Sequence, residues 1–121
     1  MATPLLICDD SNMARNQVAR SLPENWAVDI TFATNGLEGL EAIRAGKGEI
    51  VFLDLTMPGL DGYGVLERVK AEDLKSVIIV ISGDIQPEAR QRVRSLGALE
   101  FIKKPINREK LQEVLLNYGL L

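Results

Sequence analysis

Four short β-type runs in this 121-residue chain each give way, at once or after a single residue, to a side chain that can do chemistry. Leu5-Leu6-Ile7-Cys8 leads to Asp9 and Asp10, and Ile50-Val51-Phe52-Leu53 leads to Asp54. Val77-Ile78-Ile79-Val80-Ile81 leads to Ser82, and the run from Leu99 to Ile102 leads through Lys103 to Lys104. Brought together, three carboxylates would repel strongly, so such a cluster should take up a hard divalent cation such as Mg2+ through oxygen ligands. A divalent cation and one lysine restore neutrality and leave a cation-bearing pocket suited to a phosphoryl group. Asp54 could then attack phosphorus and form an aspartyl phosphate, with Lys104 offsetting charge on the transferred oxygens and Ser82 donating a hydrogen bond to one.

Elements that could deliver these groups to one place are legible in the hydropathy pattern. Ser11 is a helix-capping residue ahead of Ala14, Val18 and Leu22, which repeat every four residues until Pro23. Val28, Ile30 and Phe32 alternate with Asp29 and Thr31, as in a strand less buried than its neighbours. Leu37, Leu40 and Ile43 predict an inward helix stripe that Gly46-Lys47-Gly48 ends, and Val65, Leu66 and Val69 predict another within 63–71. Pro87 suits a helix's first turn, with Val93 and Leu96 following before Gly97. Asn107 opens a last helix whose inward residues are expected to be Leu111, Val114, Leu115 and Tyr118. Five strands thus alternate with five helices. Connections too long for hairpins imply right-handed crossovers and a doubly wound α/β sheet of five parallel strands covered on both faces. In such sheets functional groups collect beyond the carboxyl ends of the strands, where Asp9, Asp10, Asp54, Ser82 and Lys104 are expected.

Composition narrows the alternatives. A hydrophobic share of 46% over 121 residues suits one domain, residues 1–121, with a single core. Cys8 has no second cysteine to pair with, and the absence of histidine removes the usual zinc constellations. A formal charge of -3 argues against a direct nucleic-acid binder. No apolar run approaches the roughly 20 residues of a membrane span, and no basic-then-apolar leader pattern is present. The expectation is a cytoplasmic protein without membrane insertion.

The motifs Cys8-Asp9-Asp10-Ser11, Asp54-Leu55-Thr56-Met57-Pro58-Gly59-Leu60-Asp61-Gly62, Ser82-Gly83 and Lys104-Pro105, in this order, resemble the receiver domain of two-component response regulators. The resemblance covers essentially the whole chain and implies the flavodoxin-like receiver fold. It implies that Asp54 accepts a phosphoryl group from a sensor histidine kinase or a small acyl phosphate. It also implies that Asp9, Asp10, Asp54 and the Thr56 carbonyl hold Mg2+. Ser82 and Phe101 would be the switch pair, and the output face would run from Pro87 to Tyr118 toward a downstream protein. On this reading the chain is a phosphoacceptor that catalyses only its own phosphorylation and dephosphorylation. Thr56 and Asp84 occupy positions through which the family tunes phosphoryl lifetime. The dimeric DNA-binding class usually carries an arginine near the position of Glu113 or Val114, which favours a chemotaxis-type single-domain regulator here.

Other readings weigh against these. Asp9-Asp10 alone could be a solvated helix-start pair, Lys104 an ordinary exposed lysine, Ser82 a strand terminator and Phe101 permanent core. Arg90, Arg92 and Arg94 could form a solvated face or meet an acidic partner. Cys8 reads as a small buried hydrophobe whose adjacent acids raise its pKa. The chain could also be a receiver excised from a longer regulator with a C-terminal effector. A metal-dependent phosphatase with an aspartyl-phosphate intermediate fits less well, because Asp54-Leu55-Thr56 lacks a second aspartate two residues on. A nucleotide- or flavin-binding domain would want Gly-x-x-x-x-Gly-Lys or Gly-x-Gly-x-x-Gly, and neither occurs.

Overall fold

The computed structural model describes residues 2–83 and 86–121. Elements alternate as the pattern requires: β1 (Thr3–Cys8), α1 (Asn12–Ser21), β2 (Val28–Ala33), α2 (Gly36–Arg44), β3 (Ile50–Leu53), α3 (Gly62–Ala71), β4 (Val77–Ser82), α4 (Pro87–Ser95), β5 (Glu100–Lys103) and α5 (Arg108–Asn117). All neighbouring strands pair in parallel in the order β2-β1-β3-β4-β5. The interior strands β1, β3 and β4 are the continuous apolar runs, because a strand with neighbours on both edges and helices on both faces has no solvated side. β2 is an edge strand, and Ile30 and Phe32 remain partly exposed there.

Helix starts follow from side-chain chemistry. Ser11 Oγ accepts from the Ala14 amide, Asn35 from Glu38, Asp61 from Gly64 and Asn107 from Lys110. Each such cap is worth about 1 kcal/mol. α4 has no side-chain cap and relies on Pro87 in its first turn.

The sheet divides the core. On one face Leu40 and Ile43 of α2, Val65, Leu66 and Val69 of α3, and Ala89 and Val93 of α4 pack on Leu6, Val51, Val80 and Phe101. On the other, Val18 of α1 and Leu111, Val114 and Leu115 of α5 pack on Leu5, Ile7, Phe52, Ile79 and Ile102. Full burial of each such aliphatic side chain contributes about 1.5–3 kcal/mol.

Two expected inward residues point elsewhere. Leu37 is 59% exposed. Residues three apart on a helix are offset by about 60° around it, so the buried stripe centres on Leu40, Ile43 and the two buried glycines, Gly36 and Gly39, and leaves Leu37 outside. Tyr118 is 40% exposed because it lies at the C-cap of α5, beyond the helix proper, with its hydroxyl donating to Glu100 Oε2 at 2.9 Å.

Candidate functional site

β1 and β3 are adjacent, and their register sets Cys8 beside Leu53. The residues that follow, Asp9 and Asp54, therefore leave the sheet side by side, and the Asp54 amide donates to the Cys8 carbonyl at 2.9 Å. This is the point where the strand order reverses, the expected place for a ligand in an open α/β sheet. β4 and β5 bring the other two groups: Ser82 pairs with Lys103, and the Lys104 amide donates to the Ser82 carbonyl at 2.9 Å.

Asp9, Asp10 and Asp54 each offer a carboxylate oxygen, and these oxygens lie within 4.8 Å of one another. Asp9 and Asp54 are buried while Asp10 is exposed, so the trio forms a pocket with one side open to solvent. Lys104 Nζ donates to Asp9 Oδ2 at 2.9 Å and to Asp54 Oδ1 at 3.3 Å. Ser82 is buried at the same sheet edge. Thr56 is exposed in the loop two residues beyond Asp54.

The electrostatics are those of a crowded acidic cluster. Burial, then the Asp9 charge, pushes the Asp54 carboxyl up from 3.8 to about 6, and Lys104 offsets only part of this. Burial works to lower the Lys104 pKa, but its hydrogen bond to Asp9 and the charges of both carboxylates outweigh that and hold it above the ordinary lysine value. The Cys8 thiol is pushed up to about 12, chiefly by burial and secondarily by Asp9 and Asp54, so it is an inert core group. An all-oxygen donor set with like-charge repulsion left over fits a hard divalent ion of the Mg2+ type.

Several contributors carried little signal in the sequence. Gly62 opens α3 so close to the Asp54 carbonyl that any β-carbon there would collide with it; the repeated glycines of the loop were the only hint. Arg15 Nη1 donates to the Asp9 carbonyl at 2.7 Å, a contact that nothing in a lone helical arginine announces. Met57 is buried beside Cys8, with sulfurs 3.6 Å apart. Asp84 lies outside the described residues.

Phe101 projects from β5 into the α4 side of the core, 3% exposed, with the Arg90 guanidinium 4.7 Å above its ring centre. The arginines of α4 are each engaged. Arg92 stacks on Tyr63 at 4.0 Å and lies 3.8 Å from Glu67, and Arg94 donates to Glu100 at 2.9 Å. Beside them a groove of about 440 Å³ is lined by Arg90, Phe101, Lys103 and Lys110, among others.

Comparison with known proteins agrees with this fold. Residues 5–116 match the family model of the response regulator receiver domain. The chain is 30% identical over 111 residues to the chemotaxis protein CheY of Treponema pallidum, covering 90% of this chain and 77% of that protein. It is 33% identical over 104 residues to protein-glutamate methylesterase/protein-glutamine glutaminase 3 of Rhodospirillum rubrum, covering 85% of this chain but only 28% of the relative. The chain spans about half or less of the length of several curated relatives it matches. Among solved structures, a chain of the CheX-CheY-BeF3-Mg2+ complex from Borrelia burgdorferi superposes with a TM-score of 0.86 at 27% identity, covering 97% of this chain and 89% of that one. The signal receiver domain of NarL from Mycobacterium tuberculosis gives 0.87 at 27% identity, with 98% and 96% covered. The buried carboxylates at the β1–β3 switch point thus sit in a fold and a sequence shared across this group, and the chain belongs to the response regulator receiver domain family.

Proposed function

We propose that the chain is a phosphorylation-dependent signalling switch, residues 1–121 forming one receiver domain, with Asp54 as phosphoryl acceptor. The observation that carries this is the placement of Lys104 Nζ within 2.9 Å of Asp9 and 3.3 Å of Asp54 at the mouth of a three-carboxylate pocket. An Asp54 oxygen attacks the phosphorus of an acyl phosphate or a phosphohistidine. The new bond is Asp54 O–P, and the bond to the carboxylate or imidazole leaving group breaks. Asp9, Asp10, Asp54 and the Thr56 main-chain carbonyl are suited to hold Mg2+, which would neutralise charge on the transferred phosphoryl group when bound. Lys104 supplies a second cation to the phosphoryl oxygens, and the Ser82 hydroxyl a hydrogen bond.

On this reading the phosphoryl donor is a sensor histidine kinase or a small acyl phosphate, and the chain promotes only its own phosphorylation and dephosphorylation. Drawing Ser82 and Lys104 toward an added phosphoryl group of charge near -2 would strain β4 and β5 and rearrange the face from Pro87 to Tyr118, where a downstream protein would bind. None of the described helices is long and apolar enough to cross a membrane, in keeping with a cytoplasmic role. The switch could serve a free-standing chemotaxis-type regulator or the regulatory part of a longer protein. The first is supported by the match over 77% of the Treponema pallidum CheY, the second by relatives that extend well beyond the matched region.

Intact-mass analysis after incubation with acetyl phosphate and Mg2+ tests the assignment. A labile phosphoryl adduct is expected in the wild type and absent from Asp54→Asn. A wild-type protein that stays unmodified while a known receiver is labelled in parallel would end the proposal.

A further inference from the structure

We propose that Arg15 is a positioning residue for the cation pocket, an inference that rests on the switch reading above. Asp9 is held from several directions. Its amide donates to the Ala33 carbonyl at 3.1 Å, its Oδ1 accepts from the Ser11 amide at 2.9 Å, and its Oδ2 accepts from Lys104 at 2.9 Å. Its main-chain oxygen accepts from Arg15 Nη1 at 2.7 Å, the shortest of the four. That oxygen belongs to the peptide unit joining Asp9 to Asp10, so fixing it fixes the plane from which the exposed Asp10 departs.

Arg15 is itself anchored. Its amide donates to the Ser11 carbonyl at 3.0 Å within α1, and Nη2 donates to Asn12 Oδ1 at 3.3 Å. The guanidinium therefore bridges the first turn of α1 and the end of β1, closing a ring around the turn that carries both acids. Hydrogen bonds from a charged donor are roughly twice as strong as neutral ones, and the planar fork reaches two acceptors where an ammonium offers one compact centre. Asp10 has most to gain from such a brace, because it is the exposed member of the trio and is not held by the core as Asp9 and Asp54 are.

A cation beside an acidic pocket would ordinarily oppose a second cation, so the sign of the effect separates bracing from bare charge. Arg15→Lys keeps the charge and loses the fork. Arg15→Gln loses both. Mg2+ titrations of the whole protein, followed by the Ser11 and Asp54 amide resonances, should show Kd rising about tenfold in Arg15→Lys, the lower end of what outer-shell substitutions cost a metal site. Kd should rise in Arg15→Gln as well. Phosphorylation by acetyl phosphate should slow at limiting Mg2+ and recover the wild-type rate at saturating Mg2+ in both variants. A Kd within twofold of wild type in Arg15→Lys, tighter binding in Arg15→Gln, or a rate that saturating Mg2+ fails to restore would each overturn the inference. A wild type that binds Mg2+ but takes no phosphoryl group overturns the switch reading alone, while a wild type that binds no Mg2+ at these amides overturns both.

Discussion

Lys104 Nζ lies closer to Asp9 (2.9 Å) than to Asp54 (3.3 Å), so the lysine ties β5 to β1 across the intervening strands β3 and β4. It stands where positive charge is needed whether or not a metal is bound, and it competes with a metal for the same carboxylates. Lys104→Gln should consequently bind Mg2+ several-fold more tightly, since a rival cation has gone. The same variant should take the phosphoryl group from acetyl phosphate at least tenfold more slowly, in line with loss of one stabilising donor to a developing oxyanion. Mg2+ titration and timed intact-mass measurements on one sample check both signs together.

Asp54→Asn should stabilise the metal-free protein near neutral pH, a direction opposite to most substitutions of buried groups. The wild-type carboxyl has its pKa raised from 3.8 to about 6, mainly by burial and then by Asp9. Between these values the folded state binds more protons than the unfolded state, so stability falls as pH rises through the window and stays reduced above it. At pH 7 the penalty is on the order of 1–3 kcal/mol. Below pH 3.8 it vanishes. Urea midpoints of wild type and Asp54→Asn without Mg2+ should differ at pH 7 and converge as pH falls toward 4, and saturating Mg2+ should narrow the gap at pH 7 by stabilising the wild type, with its third carboxylate, more than the variant.

The ends of the strands were readable because an apolar β-type run that stops at a carboxylate, hydroxyl or lysine leaves little choice about where that group emerges. Asp9, Asp54, Ser82 and Lys104 all fall at the same sheet edge for this reason. Lateral contacts of long side chains were not readable. Arg90, Arg92 and Arg94 could have formed a solvated face, yet one stacks on Phe101, one on Tyr63 and one bonds Glu100, choices set by how α4 packs against β5 and α3 and not by spacing within the helix. Leu37 shows the limit of a spacing argument: its helix is amphipathic as expected, but the phase of the buried stripe depends on where glycines let the helix approach the sheet. Cys8 was correctly read as inert, with burial ahead of the neighbouring acids as the cause.

Gly39 offers a test of that close approach. A β-carbon built on it would stand 2.6 Å from Cys8 Sγ, on a strand directly beneath the site. Gly39→Ala should gain up to about 1 kcal/mol of helix propensity and lose about 1–3 kcal/mol to overpacking, so the net change is destabilising. Removing the opposing sulfur should relieve it. In a double-mutant cycle with Cys8→Ala, followed by urea denaturation, the pair should couple by at least about 1 kcal/mol. Strict additivity would mean that α2 moves aside at no cost.

Phe101 and Arg90 should contribute unequally, which bears on how the face from Pro87 to Tyr118 is held. α4 buries only Ala89 and Val93 of its own residues, so the contact of Arg90 with a core aromatic is a substantial part of its lateral attachment. Phe101→Ala empties a site that is 3% exposed and should cost about 3–5 kcal/mol through lost burial and the remaining cavity. Arg90→Ala removes an attraction at an exposed position, about 0.5–1 kcal/mol, and should leave the core intact. Because the guanidinium covers one face of the ring, its loss should speed amide hydrogen exchange within α4 more than within α5, whose Leu111 and Leu115 are fully buried. Exchange measured by mass spectrometry on wild type and Arg90→Ala decides it: equal changes in the two helices would show that the Arg90–Phe101 contact adds nothing to the hold on α4.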